Sequence, residues 1–261
     1  MNYPFQTERI DLPSKGLVYP LDNPLSKGYV DMRYMTAFHE DILTNMNYLS
    51  RGIEYTIDKF ARSLVVDEKI NFDDLIGGDR FQLLIASRLL AWGHQYAFEY
   101  NGKDYVVDLT KLNDKEIDYT LFKNKNEVSF RLPILDIDIT FKLLTHSDFL
   151  WIEEETKRLK QLHGDDMKFD TQLKLKRMIL SVEGNYEQEV VENFLENRLI
   201  AYDIRHIFSY YREIEPEVNI NLDSDGGGSF SIPFSYFEMF YDNEAIQKSI
   251  STRGKWFTIL W

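Results

Sequence analysis

The chain has 261 residues, 44% hydrophobic and 15% aromatic, enough to build one large domain or two modest ones and too apolar for a disordered chain. Its formal net charge of -13 repels phosphate backbones and anionic membrane, which argues against nucleic acid and membrane as partners. With no cysteine, disulfides, thiolate metal sites and cysteine nucleophiles are excluded, and a reducing cytoplasm fits.

Residues 1–9 lack a basic stretch followed by an apolar core, so no secretory signal is expected. No apolar run approaches the roughly 18 residues that span a bilayer. The expectation is a soluble, non-exported protein.

The opening Leu12-Pro13-Ser14-Lys15-Gly16-Leu17-Val18-Tyr19-Pro20, with Pro24 after it, is incompatible with a helix, because proline removes donors and Gly16 suits a turn. It reads as an arm over residues 1–28, laid across a surface, whose apolar Leu12, Leu17, Val18 and Tyr19 dock on the body or on a partner. An alternating strand from Tyr29 follows. A helix then starts at Thr36 or His39 and runs to Leu49, with Glu40 and Asp41 at the positive end of its dipole. Residues 53–66 continue helically, with Ile53, Ile57, Phe60, Ala61 and Leu64 on one stripe.

Gly77-Gly78 reads as a break, and Asp79 as the cap of a helix over 80–92 that Gly93 ends. Asn101-Gly102 between alternating β-formers predicts a hairpin over 95–109. Residues 110–131 are polar and read as a link.

The order then repeats. A strand lies near 134–143, and helices are expected at 148–162, 172–182, 186–196 and 201–212. A second hairpin spans 217–234 around a glycine run at 226–228. In both halves an alternating strand leads to a Thr, then to His-x-Asp: Thr36, His39 and Asp41 in the first, Thr145, His146 and Asp148 in the second. An Asp opens the last helix of each, Asp79 and Asp203.

The fold class expected is therefore α+β, mostly helical, in two related modules, each a short strand, several helices and a closing β-hairpin. The divisions are the arm (1–28), a first module (29–131), a second module (132–236) and an aromatic tail (237–261). The tail ends Trp256-Phe257-Thr258-Ile259-Leu260-Trp261, and packs on the body or serves as a partner-binding strand or plug.

No constellation specifies a reaction. His39 and His146 each sit near an Asp, but metal ligation needs three or four converging ligands, and helix capping explains the pattern. His39-Glu40 lacks the second His of a zinc-protease motif. Asp223-Ser224-Asp225-Gly226 hints at a calcium loop, but Phe234 stands where the bidentate carboxylate belongs. The glycine run has no Lys-Ser/Thr after it, so it is a turn and not a phosphate loop. Glu153-Glu154-Glu155 and the lysine-rich 168–177 read as solvated helix faces. No catalytic, cofactor or metal residue is expected, and a duplicated helical unit of this kind reads as a scaffold.

Several of these stretches, taken in order, resemble the baseplate hub assembly proteins of T-even-type contractile-tail bacteriophages. They are Leu12 to Pro20, the strand into Met35-Thr36, Asp79 with Trp92-Gly93-His94, Phe141 through Thr145 to Asp148, and Asp203-Ile204-Arg205 leading to Pro216. The likeness runs from about residue 12 to 241, and the proline-glycine opening is its most specific part. Many relatives carry cysteine pairs in both hairpins in the manner of zinc ribbons. Here Asn101-Gly102 and the glycine run stand in those turns, so a metal-free version is expected.

The resemblance implies a non-enzymatic baseplate hub component or hub assembly factor. Its partners would be other hub or tail proteins of the phage, and itself as a small oligomer. It would act in the cytoplasm of the infected bacterial host and, if incorporated, in the virion tail baseplate. Partner contacts are expected at Leu17, Val18 and Tyr19 of the arm and at Trp256, Phe257 and Trp261 of the tail. The competing reading is a carboxylate-based hydrolase or ligand-binding protein.

Overall fold

The computed structural model describes residues 6–164, 169–223 and 229–241. Over these the fold is α+β and mostly helical, with several small antiparallel sheets.

Strand β1 (Thr7–Asp11) pairs antiparallel with β2 (Tyr29–Arg33), Ile10 opposite Val30. The chain between them is wound, not extended. Lys15, Leu17, Tyr19, Asn23, Ser26 and Gly28 each donate an N–H to a carbonyl three residues back. Gly16 permits this with a φ of 75°, and a Cβ there would lie 2.5 Å from the Ser26 carbonyl oxygen. The expected arm is thus the first hairpin-like element of the body.

Helices α1 (Ala37–Leu43), α2 (Met46–Leu49) and α3 (Ile53–Leu64) follow. Asn45 caps α2 through its side chain and so splits the single helix expected there. On α3, Ile57, Phe60, Ala61 and Leu64 face the core at helical spacing. Met32 and Val65 form an isolated bridge beside β2.

Helix α4 (Gly77–Trp92) includes Gly77 and Gly78 in its first turn, where a break had been expected. The reason is steric. A Cβ on Gly78 would sit 1.8 Å from the Pro216 carbonyl oxygen, so a glycine is what lets the second half of the chain close against this helix start. Strands β3 (Gln95–Tyr100) and β4 (Lys103–Asp108) form the expected hairpin, with Asn101 and Gly102 at φ of 52° and 72°. That double left-handed pair is the tight turn that follows the twist of the strands.

The supposed link is partly ordered into sheet. Strand β5 (Asn113–Asp114) pairs with a strand a hundred residues later, and β6 (Val128–Arg131) opens the second half. Strand β6 pairs with β7 (Asp138–Phe141), which leads to α5 (His146–His163) and α6 (Asp170–Met178). Strand β8 (Ile179–Val182) then pairs with β7, where helix had been expected to continue. Its β-branched Ile179 and Val182 favour that outcome, and both are buried. Helices α7 (Gln188–Asn197) and α8 (Ala201–Ile214) complete the set. Strand β9 (Val218–Asn219) joins β5, and β10 (Asn221–Asp223) pairs with β11 (Ser229–Ser231). The glycine turn between β10 and β11 lies outside the described residues. Helix α9 (Tyr236–Tyr241) follows.

Compared by element order, the two halves correspond over more of their length than the sequence pattern suggests. Strand β1, Leu12-Pro13, β2, Thr36 and α1 correspond to β6, Leu132-Pro133, β7, Thr145 and α5. Helix α3 and the Val65 bridge correspond to α6 and β8, and α4 with its hairpin corresponds to α8 with β10–β11. Leu12 N–H donates to Gly28 O at 2.9 Å, and Leu132 N–H donates to Ile137 O at 2.9 Å, closing both Leu-Pro turns the same way.

The copies share one core. The two hairpins meet ring to ring, Tyr100 stacked on Phe230 at 4.5 Å and Tyr96 on Phe234 at 5.3 Å between centroids. Helix α9 of the second half enters the first, where Phe240 lies 5.8 Å from both Phe60 and Trp92, and the Tyr241 hydroxyl donates to Leu43 O.

Candidate functional site

Three polar constellations follow from this architecture. The first is a knot under the Leu-Pro turn. Asp79, third residue of α4, does not cap that helix. Its carboxylate faces inward, accepting from Ser14 N–H at 2.9 Å, Ser14 Oγ at 2.6 Å and Tyr19 Oη at 2.6 Å. All three residues are buried. Burial pushes the Asp79 carboxyl up to about 6, even though the bonds from Ser14 and Tyr19 favour its charged form. Burial and the Asp79 charge hold the Tyr19 phenol well above its ordinary value, which keeps it a donor. Lys15 sits over the Tyr119 ring at 4.0 Å, and the Tyr119 hydroxyl donates to Pro13 O at 3.0 Å, clasping the turn from outside. In the second copy Asp203 accepts from Ile134 N–H at 3.0 Å and Leu135 N–H at 3.1 Å.

These contacts relocate the arm residues. Val18 and Tyr19 are 1% and 4% exposed and belong to the chain's own core, and Leu17 is half-buried. Of the two expectations for the arm, docking on the body holds, and Val18 and Tyr19 offer no partner surface in this fold. Trp256, Phe257 and Trp261 lie outside the described residues.

The second constellation is the pair of helix starts. Thr36 and Thr145 are both N-caps closed by a capping box, but the partner is His39 in one and Asp148 in the other. Thr36 N–H donates to His39 Nδ1 at 3.0 Å, and Thr145 N–H donates to Asp148 Oδ2 at 3.0 Å. Aligned on the caps, His39 therefore matches Asp148, not His146, and the shared His-x-Asp pattern is out of register. Asp41 is exposed and caps nothing. Burial lowers the His39 imidazole below its ordinary value, which suits an unprotonated Nδ1 acceptor. Asp148 is fully buried, with Lys142 Nζ at 2.7 Å and an Arg177 terminal nitrogen at 2.6 Å. Burial alone would raise its carboxyl, but Lys142, the Thr145 N–H and Arg177 together hold it below the usual range.

The third is a cleft of about 730 Å³ between α3 and α5, lined by Arg51, Tyr55, Asp58, Arg62, His146 and Glu153 among others. On its floor His146 Nε2 lies 3.1 Å from Asp58 Oδ1, a close contact without the alignment of a full hydrogen bond. Arg62 Nε donates to Asp58 Oδ2 at 2.7 Å, its terminal nitrogen reaches Asp73, and Arg80 Nε is 3.5 Å from Asp58. Burial would raise Asp58, but contacts from His146 and Arg62 outweigh it and hold the carboxyl at about 2. The cluster ties α3 and α4 to the start of α5, and so one copy to the other. It is a fixed anion among cations with room above it for a small polar ligand.

The remaining candidates are engaged as faces. Glu153 pairs with Lys157 and Glu155 with Arg158, while Lys174, Lys176 and Arg177 pair with Asp170, Glu196 and Asp148. Among the described residues no group of three or more His, Cys, Asp or Glu is placed to hold a metal ion, and no helix is long and apolar enough to cross a membrane. No family model, curated protein or solved structure matches the chain.

The Asp79 knot and the Asp58 cluster were missed in sequence. The repeated Asp at the start of each last helix was the available signal for the first. Asp58 carried no signal beyond a lone acid on an apolar helix face.

Proposed function

We propose that this chain is a non-enzymatic protein of a bacteriophage tail baseplate, either a component of the central hub or a factor that assembles it. The observation that carries the reading is where the resemblance-bearing residues meet. Ser14 and Tyr19 of the opening converge with Asp79 in one buried knot, and Asp203 holds the Leu132-Pro133 turn in its counterpart. Thr145 and Asp148 build the helix start that abuts the first copy. These motifs hold turns and helix starts in place, with His146 also lining the cleft between α3 and α5. A net charge of -13 helps keep such an assembly factor soluble. Its partners are other hub or tail proteins, its place the infected host's cytoplasm and the baseplate it helps build, and Trp256, Phe257 and Trp261 its tail contacts.

The test is co-expression with the hub proteins of the same phage, with and without residues 251–261. Co-purification that the truncation abolishes is expected, together with loss of hub assembly when the whole gene is deleted. Normal baseplates without the chain and no co-purifying hub protein would overturn the reading. A ligand-binding protein is the second reading, favoured by the Asp58–His146 contact on the cleft floor. It requires a small molecule whose binding is lost in Asp58→Asn.

A further inference from the structure

The duplication leaves one interface filled and its counterpart open. Where the copies meet, Ile76 bridges Thr145, Gly77 N–H donates to Leu144 O at 3.2 Å, and His146 N–H donates to Leu75 O at 2.7 Å. The edge just before α4 thus receives the junction between β7 and α5. The second copy has the same kind of edge before α8. Ile200 is its N-cap, as Ile76 is for α4, three residues ahead of a buried Asp in both cases. The first copy in turn has the same kind of junction between β2 and α1, again with a threonine N-cap.

Both counterparts face solvent. Ile200 and Tyr202 are 38% and 48% exposed at the edge, and Phe38 is 68% exposed at the junction. Their backbone groups match as well. Among the described residues, the Ala37 and Ala201 N–H groups have no acceptor, and the Met35 and Leu199 carbonyls have no donor. These four are the equivalents of the His146 and Gly77 N–H groups and the Leu144 and Leu75 carbonyls, which pair inside the chain. Charge agrees too. Exposed Arg198 and Arg205 lie beside the edge, and exposed Glu40 and Asp41 beside the junction. In the internal contact a Phe149 ring carbon would lie 3.5 Å from a Cβ on Gly77. Glu40 holds the matching position, an acid suited to the positive start of a neighbour's α8.

We propose that a second copy of this chain docks its Met35-Thr36-Ala37 junction on the Leu199-Ile200-Ala201 edge, repeating between molecules the interface found within one. Ala201 N–H then donates to the neighbour's Met35 carbonyl, and the neighbour's Ala37 N–H donates to the Leu199 carbonyl. Giving and receiving surfaces differ, so the contact is heterologous, and successive copies close into a ring or extend as a filament according to the rotation between them. Self-association is also what the resemblance implies, but the proposal rests on contacts within this chain, and its test needs only this chain.

Sedimentation velocity on the full chain, with Phe38→Asp and Ile200→Asp, provides that test. Both side chains are exposed, and an aspartate suits an N-cap, so both variants keep the fold, which circular dichroism verifies. Concentration-dependent assembly of the wild type is expected, with each variant alone at monomer mass. An equimolar mixture of the variants is expected to double in mass and grow no further, because one partner keeps the edge and the other keeps the junction. A wild type that stays monomeric at high micromolar concentration would overturn the proposal. So would assembly surviving in either variant, or a mixture that remains monomeric.

Discussion

Asp79 and Asp203 hold the same place in two copies of one motif, yet their surroundings differ in kind. Asp79 is closed in by two hydroxyl donors and one N–H, all from a turn that the rest of the chain covers. Asp203 takes two N–H groups from a turn at the molecular edge, where Ile134 is 57% exposed. One backbone plan thus serves both as an interior lock and as a surface fastener. Cover by the other copy separates the two. Pro216 and Thr145 press on the start of α4, whereas Ile200 and Tyr202 at the start of α8 face solvent.

That contrast can be broken most sharply at the glycine. Alanine at position 78 gains about 1 kcal/mol of helix propensity, but its Cβ would displace the Pro216 backbone. The clash wins, and we expect Gly78→Ala to destabilise by roughly 3–4 kcal/mol in urea unfolding. Tyr202→Ala, at the matching position of α8, should stay within about 0.5 kcal/mol of the parent. Equal effects would mean that the copies do not differ in cover.

Next in size is the carboxylate itself. Asp79→Ala strands three buried donors, at about 1 kcal/mol or more each, so a loss of roughly 3 kcal/mol or more is expected. Asp203→Ala strands two partly buried N–H groups and should cost about 2 kcal/mol. Denaturant midpoints of the two variants measure the difference, and a reversed order would refute the lock-and-fastener contrast.

The most gradual effect is a pH dependence. Between its ordinary value of 3.8 and about 6, Asp79 holds a proton in the folded state that the unfolded chain releases. Folded stability from this group is therefore greatest at the acid end and falls as pH rises, by roughly 3 kcal/mol at most across the window. Glu215 adds the same sign up to about 7, because burial and then the Glu217 charge push it up. His39, lowered by burial, acts in the opposite sense. The useful quantity is thus the difference between the wild type and Asp79→Asn, whose slope between about pH 4 and pH 7 should be flatter. Identical slopes would remove Asp79 as the source.

Much of the fold was legible because its signals are local. The α3 stripe, the Asn101-Gly102 turn and the threonine helix starts each rest on neighbours in sequence. What escaped depends on distant partners. Strand β8 reads as helix until β7 lies beside it, and Gly77-Gly78 reads as a break until Pro216 arrives. Leu12 to Pro20 read as an arm because nothing nearby announces that Asp79 binds Ser14 and Tyr19 across some sixty residues of sequence. The repeat was seen, but in the wrong register, since His-x-Asp looks alike in two places where only the Thr caps superpose.

The position of α9 has a consequence for how the protein is made. Phe240 packs against both Phe60 and Trp92, which also touch each other, and Tyr241 reaches Leu43, so the last described helix completes the core of the first copy. Chains commonly fold from the N-terminus as they leave the ribosome. Here that early start cannot finish. The contacts of Phe240 and Tyr241 with the first half form only once residue 241 has been synthesised.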